Sequence, residues 1–521
     1  MVLDIQVDCK LADLNNLINS EIFRAYDIRG IVDQTLTEES VFLIGKAVGT
    51  KALLSSNQQD QKSVKKCALH DLDIFHSLNL AASDRRSFKC SSPEVHIPNV
   101  IVGRDGRLSG IRLINKLKQG IISTGCNVID LGLVPTPVLY FAANVWNINS
   151  AVMLTGSHNP PNYNGLKIIL SGQAIYGEQI LELKNLITEN KLVTVTGNNV
   201  GKIVEKEIID EYVQYIVSNI NVIRNKKLKM VIDCGNGVAS VVAEKLFTAL
   251  GIDCITLYCE VDGNFPNHHP DPGDPKNLKD LQQAVLNNKA DCGVAFDGDG
   301  DRLGVIDDQG NIIWPDRYLM LFAKDILLNR SANLGSVIMY DVKCTNHLHE
   351  IIVKAGGKPL MWKTGHSLIK AKMQETNAVL AGEMSGHVFF KDRWFGFDDG
   401  LYTAARLLEL IASSEKTLYG MCRELPENCS TPELTIQSSE TAKHNIIKKL
   451  IDIVHEKTAQ ITTIDGLRLD FVDCWGLVRS SNTTPNLIAR FEAIDLASLS
   501  RVKKIFKDYL LAIDASLIIP F

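Results

Sequence analysis

The stretch AVMLTGSHNP (Ala151–Pro160) is a short apolar run that ends in a polar, glycine-containing loop. Two later stretches have the same form, CGVAFDGDGDR (Cys292–Arg302) and AVLAGEMSGH (Ala378–His387). A short apolar run that ends in turn-forming residues is typical of a buried strand. We therefore predict three buried strands, each followed by a loop that carries polar side chains.

Each of these strands closes a repeated unit. The unit begins with one of the apolar runs NVIVGRDGR, KMVIDCGNG and SVIMYDVKC, and continues through a helix-like stretch to CNVIDLG, IDCITLY or KPLMWKTG. This spacing predicts strand, helix and strand, and hence three similar α/β units. Ligands of open α/β sheets bind beyond the carboxyl ends of the strands. The three loops therefore either face one cleft or, if the units share only folding rules, point in unrelated directions.

The composition is that of a globular protein. The chain has 521 residues, of which 45% are hydrophobic and 22% charged, and this length corresponds to roughly three to four domains. A net charge of -5 with only short basic stretches argues against a nucleic-acid partner. Because the chain shows neither a signal peptide nor an apolar run that could span a bilayer, we expect a cytoplasmic protein without a membrane partner. The twelve cysteines are scattered singly, mostly in apolar runs, and we expect them to be reduced core residues.

The acidic loop DGDGDR predicts a metal site. In extended backbone, Asp297, Asp299 and Asp301 point to one face, and Mg²⁺ prefers such oxygen ligands at about 2.0–2.1 Å. A calcium-binding EF-hand is excluded, because Arg302 and Asp308 stand where its glycine and glutamate belong. Three neighbouring carboxylates repel one another unless a cation is present, so a metal site is favoured over a solvated acidic turn.

Ser157 is an ordinary hydroxyl that lies among turn-forming residues, in TGSHNPPNYNG (Thr155–Gly165). The nucleophile elbow G-x-S-x-G of the α/β-hydrolases is excluded, because Thr155 and Asn159 occupy its two glycine positions. His158 is adjacent to Ser157, which is a poor arrangement for a catalytic triad. The serine can instead carry a phosphoryl group, and an oxygen of that group would complete the coordination of a nearby magnesium ion. The alternative is a serine that only stabilises a turn.

Two further stretches suit a phosphorylated substrate. GEMSGH offers Glu383 and Ser385 as partners for sugar hydroxyls, between glycines that permit close backbone approach. RSSNTTPN offers a guanidinium that can chelate phosphate, with hydroxyl and amide groups beside it, at Arg479, Ser481, Asn482 and Thr483. Taken alone, the second stretch is more often a polar turn than an anion site.

Five motifs occur in the order FRAYDIRG, TGSHNPPNYNGLK, DGDGDR, GEMSGH and RSSNTTPN. With them the chain resembles the α-D-phosphohexomutases, in their phosphomannomutase/phosphoglucomutase branch, from Phe23 to about Arg490. The resemblance implies three similar α/β domains and a C-terminal α+β domain of the TATA-binding-protein-like kind around one central cleft. The expected boundaries are 1-203 for the domain with the phosphoserine loop, 204-311 for that with the magnesium loop, 312-426 for that with the sugar loop, and 427-521 for the last.

The resemblance also implies roles for individual residues. Ser157 matches the serine that is phosphorylated, and with Asp297, Asp299 and Asp301 it would hold one Mg²⁺ per chain. The other catalytic positions are His158, Lys167, Arg29 and Arg302, and which group acts as the general base is left open. The substrate-binding positions are Tyr26, Lys343, His366, Glu383, Ser385, His387, Arg479, Ser481, Asn482 and Thr483.

The activity implied is the interconversion of hexose 1-phosphate and hexose 6-phosphate, of mannose, glucose or both. It would proceed through the phosphoserine and a hexose 1,6-bisphosphate that serves as intermediate and activator. The expected partner is a small phosphosugar, and the expected state is a monomer or weak dimer.

Two alternatives to this activity are open. One is phosphoglucosamine mutase, which usually carries glutamine where Met384 stands, and the other is a non-catalytic sugar-phosphate-binding homologue, which normally loses the serine or an aspartate. The chain departs from the family in an insert at about 55-99, rich in Ser, Gln, Asn, Lys and His. We expect this insert to be a solvent-exposed loop.

Overall fold

A computed structural model describes residues 17–56, 97–221, 227–328, 334–481 and 484–521. The chain divides into two compact units. The first comprises Met1–Phe23, Asp27–Val134 and Val138–Ile208, and the second comprises Arg24–Tyr26, Pro135–Pro137 and Ile209–Phe521. Almost all of the predicted insert at about 55-99 lies outside the described residues, and the boundaries predicted for the four domains stay predictions.

The first unit is built on a seven-stranded mixed sheet. Its strands are β1 (Ile28–Ile31), β2 (Asn99–Arg104), β3 (Asn127–Leu133), β4 (Ala151–Leu154), β5 (Tyr163–Leu170), β6 (Gln173–Ala174) and β7 (Ile203–Glu205). They lie in the order β1-β5-β4-β2-β3-β7, and β6 pairs with β5. The pairs among β4, β2, β3 and β7 are parallel, whereas β5 is antiparallel to both β1 and β4.

The helices of the first unit cover the sheet with apolar side chains. They are α1 (residues 38–56), α2 (Gly110–Ile122), α3 (Thr136–Val145) and α4 (Glu178–Thr188), with short 3-10 helices at Ser20–Ile22 and Gly197–Asn199. The first two residues of α3 belong to the second unit. In α2, Leu113, Leu117 and Ile121 recur every fourth residue and are buried, as expected for one face of an amphipathic helix. Helices α1 and α2 approach so closely that a Cβ on Gly120 would lie 2.2 Å from the Phe42 carbonyl oxygen.

The second unit contains three sheets. The strands of its first sheet are β8 (Lys229–Asp233), β9 (Asp253–Leu257), β10 (Cys292–Phe296), β11 (Leu303–Asp307) and β12 (Ile312–Ile313), in the order β12-β11-β10-β8-β9. The strands of its second sheet are β13 (Val337–Asp341), β14 (Lys358–Trp362), β15 (Leu380–Gly382) and β16 (Val388–Phe390), in the order β14-β13-β15-β16. All five residues of β10 are buried, which explains its uninterrupted apolar sequence.

The third sheet of this unit is antiparallel and six-stranded. Its strands are β17 (Cys429–Ser430), β18 (Leu434–Ile436), β19 (Gln460–Thr462), β20 (Leu467–Asp470), β21 (Cys474–Ser480) and β22 (Leu487–Ala493). Two helices, α13 (Glu440–Ile453) and α14 (Leu496–Ile513), pack on it through a core that includes Leu450 and Phe506. This is the α+β architecture expected of the C-terminal domain.

The other helices of the second unit flank its first two sheets. They are α5 (Ile209–Asn219), α6 (Ala243–Ala249), α7 (Lys279–Asn288), α8 (Pro315–Leu328), α9 (His347–Lys354), α10 (His366–Thr376), α11 (Gly400–Ser413) and α12 (Leu418–Cys422), with 3-10 helices at Val238–Val241 and Pro275–Leu278.

The predicted repeat is confirmed by the strand order. In each of three sheets the first strand of the unit (β2, β8 or β13) lies between the second (β3, β9 or β14) and the third (β4, β10 or β15). The first and third strands run parallel in every case. Consequently the serine loop, the acidic loop and the GEMSGH loop all follow the equivalent strand of their own sheet.

Within the described part of the chain, no helix combines the length and the apolar character needed to cross a membrane. Six of the nine described cysteines are buried in the core, as expected, whereas Cys254, Cys259 and Cys429 are only half-buried.

Candidate active site

Ser157 lies in the loop after β4, in the first unit. It is buried, and its φ of +48° falls in the left-handed region that residues other than glycine seldom adopt. Its backbone N–H donates to Thr155 Oγ1 at 2.8 Å, and its Oγ lies 3.2 Å from Nδ1 of His158. A buried serine in an uncommon backbone conformation beyond the carboxyl end of a strand is typical of a functional residue.

Arg107, which follows β2, holds this loop in place. Its two terminal nitrogens donate to four carbonyl oxygens of the loop, those of Ser157, Asn159, Pro160 and Tyr163. The bonds to Ser157 and Asn159 measure 2.7 and 2.6 Å. The fifth N–H group, on Nε, donates to Asp105 at 3.2 Å. Because the guanidinium presents five donors in a fixed plane, one side chain sets the course of the whole loop.

Asp105 ties the same loop to the arginine. Its Oδ2 accepts from Thr155 Oγ1 at 2.7 Å and from the backbone N–H of Gly156 at 3.2 Å. A Cβ at Gly156 would lie 2.4 Å from Cζ of Arg107, so the loop approaches the guanidinium as closely as only glycine allows. Neither Asp105 nor Arg107 was among the residues predicted from sequence, although RDGR follows an apolar run at the same edge of the sheet.

Two predicted catalytic cations, Arg29 and Lys167, project from one face of the same sheet. Arg29 stands opposite Gly165 in the antiparallel ladder, and Lys167 lies two residues farther along β5. Side chains at these positions share a face. Arg29 Nη1 donates to Asn159 Oδ1 at 2.6 Å, and Nη2 pairs with Asp27. The face therefore carries two buried positive charges, one of which contacts the serine loop.

The acidic loop follows β10 in the second unit. Asp297, Asp299 and Asp301 are fully buried, and one carboxylate oxygen of each lies within 4.8 Å of the others. Asp297 Oδ1 accepts from the backbone N–H groups of residues 300–302 at 3.1 to 3.2 Å, and Asp299 Oδ2 accepts from Thr136 Oγ1. The alternation with glycine predicted that the three carboxylates would converge, and they do.

His387 connects the acidic loop to the loop after β15. Its Nε2 lies 3.2 Å from Asp301 Oδ1, and its Nδ1 lies 2.8 Å from Glu383 Oε2 and 3.1 Å from Ser385 Oγ. Burial alone would lower the pKa of His387, but the neighbouring carboxylates raise it to about 9. The two carboxylates therefore favour the protonated form of the ring. Arg302 Nε lies 3.2 Å from the same Nε2, and its positive charge acts in the opposite direction and lowers the pKa of His387.

Glu383 also joins the GEMSGH loop to the loop after β14. Its Oε1 accepts from the backbone N–H of Gly365, next to His366. The His366 ring lies 5.6 Å from that of His387 and meets Tyr26 edge-on at 5.8 Å, between ring centroids. Burial would raise the pKa of Glu383, but its bond to His387 holds that pKa below the ordinary value. Tyr26, His366, Glu383, Ser385 and His387, five of the positions expected to bind substrate, thus lie in one cluster.

Lys343, another predicted substrate contact, follows β13 and is buried. Its Nζ lies 2.5 Å from Glu433 and 3.9 Å from Asp341. Burial alone would lower the pKa of Lys343, but the two carboxylates raise it, so the ammonium group stays charged. The Lys343 carbonyl accepts from Arg490 Nη1 at 2.6 Å, which fixes the turn to the C-terminal sheet.

Arg479 lies on β21, near its carboxyl end. Its Nε donates to Asp465 Oδ2 at 3.0 Å, and the same carboxylate oxygen accepts from the backbone N–H of Thr364 at 3.0 Å. Arg479 Nη2 is buried and has no hydrogen-bond partner among the described residues. A buried guanidinium nitrogen in this state is well suited to bind an anion.

Ser481 continues the same loop. Its carbonyl accepts from Nζ of Lys443, a buried lysine of α13, at 2.8 Å. Asn482 and Thr483 lie outside the described residues. The sequence did not single out Lys443, Glu433 or Asp465, because each is an isolated charge whose partner lies far away along the chain.

Models of one protein family match most of this chain, from residue 71 to residue 508. The family is phosphoglucomutase/phosphomannomutase. Its α/β/α domain I matches residues 71–194, domain II matches 210–310, domain III matches 314–429 and the C-terminal domain matches 428–508.

Relatives and a solved structure agree with these matches. A phosphomannomutase/phosphoglucomutase of Pseudomonas aeruginosa is 49% identical over 96% of this chain and 98% of the relative. A phosphoglucomutase of Neisseria meningitidis is 45% identical over 94% and 96%. The structure of a phosphoglucomutase/phosphomannomutase family protein from Burkholderia thailandensis has a TM-score of 0.82 and 44% identity, and the match covers 97% of this chain and all of that one.

The hydrogen bonds from Arg107 to the serine loop can be tested by mutation. Arg107→Lys keeps the positive charge but cannot donate to four carbonyls and Asp105 together, so the loop should shift. We expect turnover to fall on the order of 10²-fold, because a displacement of about 1 Å at a catalytic group can have this effect. Steady-state kinetics measure the loss, and circular dichroism establishes that the variant is folded.

Arg112→Lys is the matched control. Arg112 lies in the same unit but forms exposed ion pairs with Asp33 and Glu38, and such pairs contribute little. A folded Arg107→Lys enzyme that turns over as fast as Arg112→Lys would show that the Asp105–Arg107 clamp, meaning the hydrogen bonds of these two residues to the serine loop, has no role in activity.

Proposed function

This chain belongs to the phosphoglucomutase/phosphomannomutase family and is an isomerase of hexose phosphates, and we propose that it acts through a phosphoserine at Ser157. The observation that carries the proposal is the fixed conformation of that serine. The loop is held through four of its carbonyls, and Arg29 and Lys167 add positive charge on the neighbouring face of the sheet. A rigid hydroxyl beside buried cations suits phosphoryl transfer, whose demands are mainly positioning and charge stabilisation.

The reaction consists of two phosphoryl transfers. In the first, the phosphoryl group moves from Ser157 Oγ to the free hydroxyl of a hexose 1-phosphate or 6-phosphate. A base takes the proton of that hydroxyl, and Ser157 Oγ takes up a proton as the phosphoryl group leaves it. The resulting hexose 1,6-bisphosphate turns over, and Ser157 Oγ then takes the other phosphoryl group. His158 Nδ1 lies within hydrogen-bond reach of that oxygen, which suits it to accept the serine proton in the second transfer.

The acidic loop would hold the metal ion. Three fully buried carboxylates with oxygens within 4.8 Å of one another fit a divalent cation with oxygen ligands. We propose Mg²⁺, which when bound would neutralise negative charge that develops on the transferring phosphoryl group. That a phosphate oxygen on Ser157 is a further ligand stays a prediction.

We propose that residues of the second unit bind the sugar and its second phosphate. Arg479 supplies a buried N–H group without a partner among the described residues, and Lys343 supplies a charged ammonium group. These groups suit the phosphate that is not being transferred. Glu383, Ser385 and His366 supply the acceptors and donors that sugar hydroxyls need. We propose mannose and glucose phosphates as substrates, with hexose 1,6-bisphosphate as the species that restores a lost phosphoserine.

Ser157→Ala tests the proposed function. Intact-mass measurement of the wild-type enzyme should show a phosphorylated fraction that is missing in the variant, and coupled assays should show turnover of mannose 1-phosphate and glucose 1-phosphate by the wild type alone. Ser171→Ala is the control, because Ser171 also has a left-handed φ but lies on the surface. Full activity in Ser157→Ala, or a preference for glucosamine 1-phosphate, would refute the proposal.

Asp299→Asn tests the metal site. The amide can still accept the hydrogen bond from Thr136, but one of three negative charges is lost. We expect a weaker response to magnesium and a fall in turnover on the order of 10²-fold or more, as when charge stabilisation in the transition state is lost. Asp253→Asn, which changes an exposed aspartate of the same sheet, serves as the control. An unaltered magnesium titration in Asp299→Asn would leave the acidic loop with a structural role only.

A further inference from the structure

Two cysteines of the second unit lie side by side next to the acidic loop. Cys234 follows β8 and is fully buried, whereas Cys259 follows β9 and is half-buried. Their Sγ atoms are 3.3 Å apart. A disulfide bond measures about 2.05 Å, so the two sulfurs need to approach by about 1.2 Å to become bonded. None of the mechanistic steps above uses either thiol.

The backbone ties the two cysteines to each other. The N–H of Cys234 donates to the Leu257 carbonyl at 3.2 Å, and that of Asn236 donates to the Tyr258 carbonyl at 2.8 Å. The Asn236 side chain reaches on to the Glu260 carbonyl at 2.8 Å. The segments that carry the two thiols are therefore held together in the reduced protein, so little chain movement is needed before the sulfurs can bond.

The turn after Cys234 touches the acidic loop. The N–H of Val238 donates to the Gly298 carbonyl at 3.1 Å, between Asp297 and Asp299. A Cβ on Gly237 would lie 3.1 Å from Gly298 Cα, so the two loops are in close backbone contact. A movement of the Cys234 turn is therefore transmitted to the residues that would hold the metal.

We propose that Cys234 and Cys259 are a reversible oxidation site, and that a disulfide between them lowers turnover by displacing the acidic loop. The oxidant is a low-molecular-weight disulfide. One of its sulfurs bonds to Cys259 and the other leaves as a thiol with the Cys259 proton. Cys234 then bonds to the Cys259 sulfur and displaces the second thiol. In total two protein thiols are oxidised to a disulfide, and one reagent disulfide is reduced to two thiols.

The environment of the two thiols supports this order of events. Cys259 is the more exposed of the pair, so a dissolved disulfide reaches it first. The hydrogen bond to Cys259 and complete burial raise the pKa of the Cys234 thiol well above its ordinary value. Cys234 is fully buried, so external reagents do not reach it, and with its Sγ 3.3 Å from that of Cys259 it is placed to serve as the resolving thiol.

Oxidised glutathione is the probe for a test on the full-length enzyme. The reduced enzyme is incubated with it, free thiols are alkylated, and peptides are mapped by mass spectrometry while turnover is followed. We expect a linked Cys234–Cys259 peptide, and a fall in turnover of about tenfold or more in the linked fraction, because displacements of about 1 Å at a catalytic group can cost up to about a hundredfold. Dithiothreitol should restore both the thiols and the activity.

Two variants separate this site from the other cysteines. Cys259→Ser should keep normal activity when reduced and become insensitive to the oxidant. Cys254→Ser, which removes another half-buried thiol on β9, should remain as sensitive as the wild type. The proposal is overturned if no linked peptide forms, if the linked enzyme turns over at the reduced rate, or if Cys259→Ser loses activity to the same extent as the wild type.

Discussion

The buried ion pair between Asp105 and Arg107 is the interaction on which the serine loop depends. Both side chains are almost completely removed from water, so each charge requires its partner and further hydrogen bonds. The serine loop supplies those bonds through its carbonyls, and in return it is held with Ser157 in a left-handed conformation. The same hydrogen bonds thus satisfy the buried guanidinium and fix the position of the serine that would carry the phosphoryl group. This explains why so many turn-forming residues surround one serine.

The order of the strands determines where the functional loops lie. Because the same arrangement of first, second and third strands occurs in three sheets, an equivalent loop follows an equivalent strand each time. In the second unit, His387 joins two of these loops through Asp301 and Glu383. Two arginines of the C-terminal sheet also take part. Arg490 donates to the Lys343 carbonyl, and Arg479 donates to the Asp465 oxygen that also accepts from the Thr364 N–H. The strand arrangement is therefore repeated, whereas the loops that follow it carry different side chains. The function of each loop depends on those side chains.

The sequence predicted the features that are encoded locally. The repeated apolar runs predicted the strands of three sheets, and alternating aspartate and glycine predicted converging carboxylates. The Asp105–Arg107 clamp, Glu433 beside Lys343 and Lys443 behind Ser481 were not predicted. Each of these depends on a pairing between distant parts of the chain, to which neither periodicity nor motif spacing gives access. Asn482, Thr483 and the insert at about 55-99 fall outside the described residues, so the expectations about them stay predictions.

Whether Ser157 carries the phosphoryl group during turnover can be measured by following the loss of isotopic phosphate from labelled enzyme. Enzyme labelled at Ser157 with isotopic phosphate is mixed with unlabelled mannose 1-phosphate and quenched at times shorter and longer than one turnover. We predict that the label leaves the Ser157 peptide and enters the sugar phosphate at a rate at least equal to kcat. Label that stays on Ser157 while many substrate molecules are converted would contradict this prediction, because the phosphoserine would then stand outside the catalytic cycle.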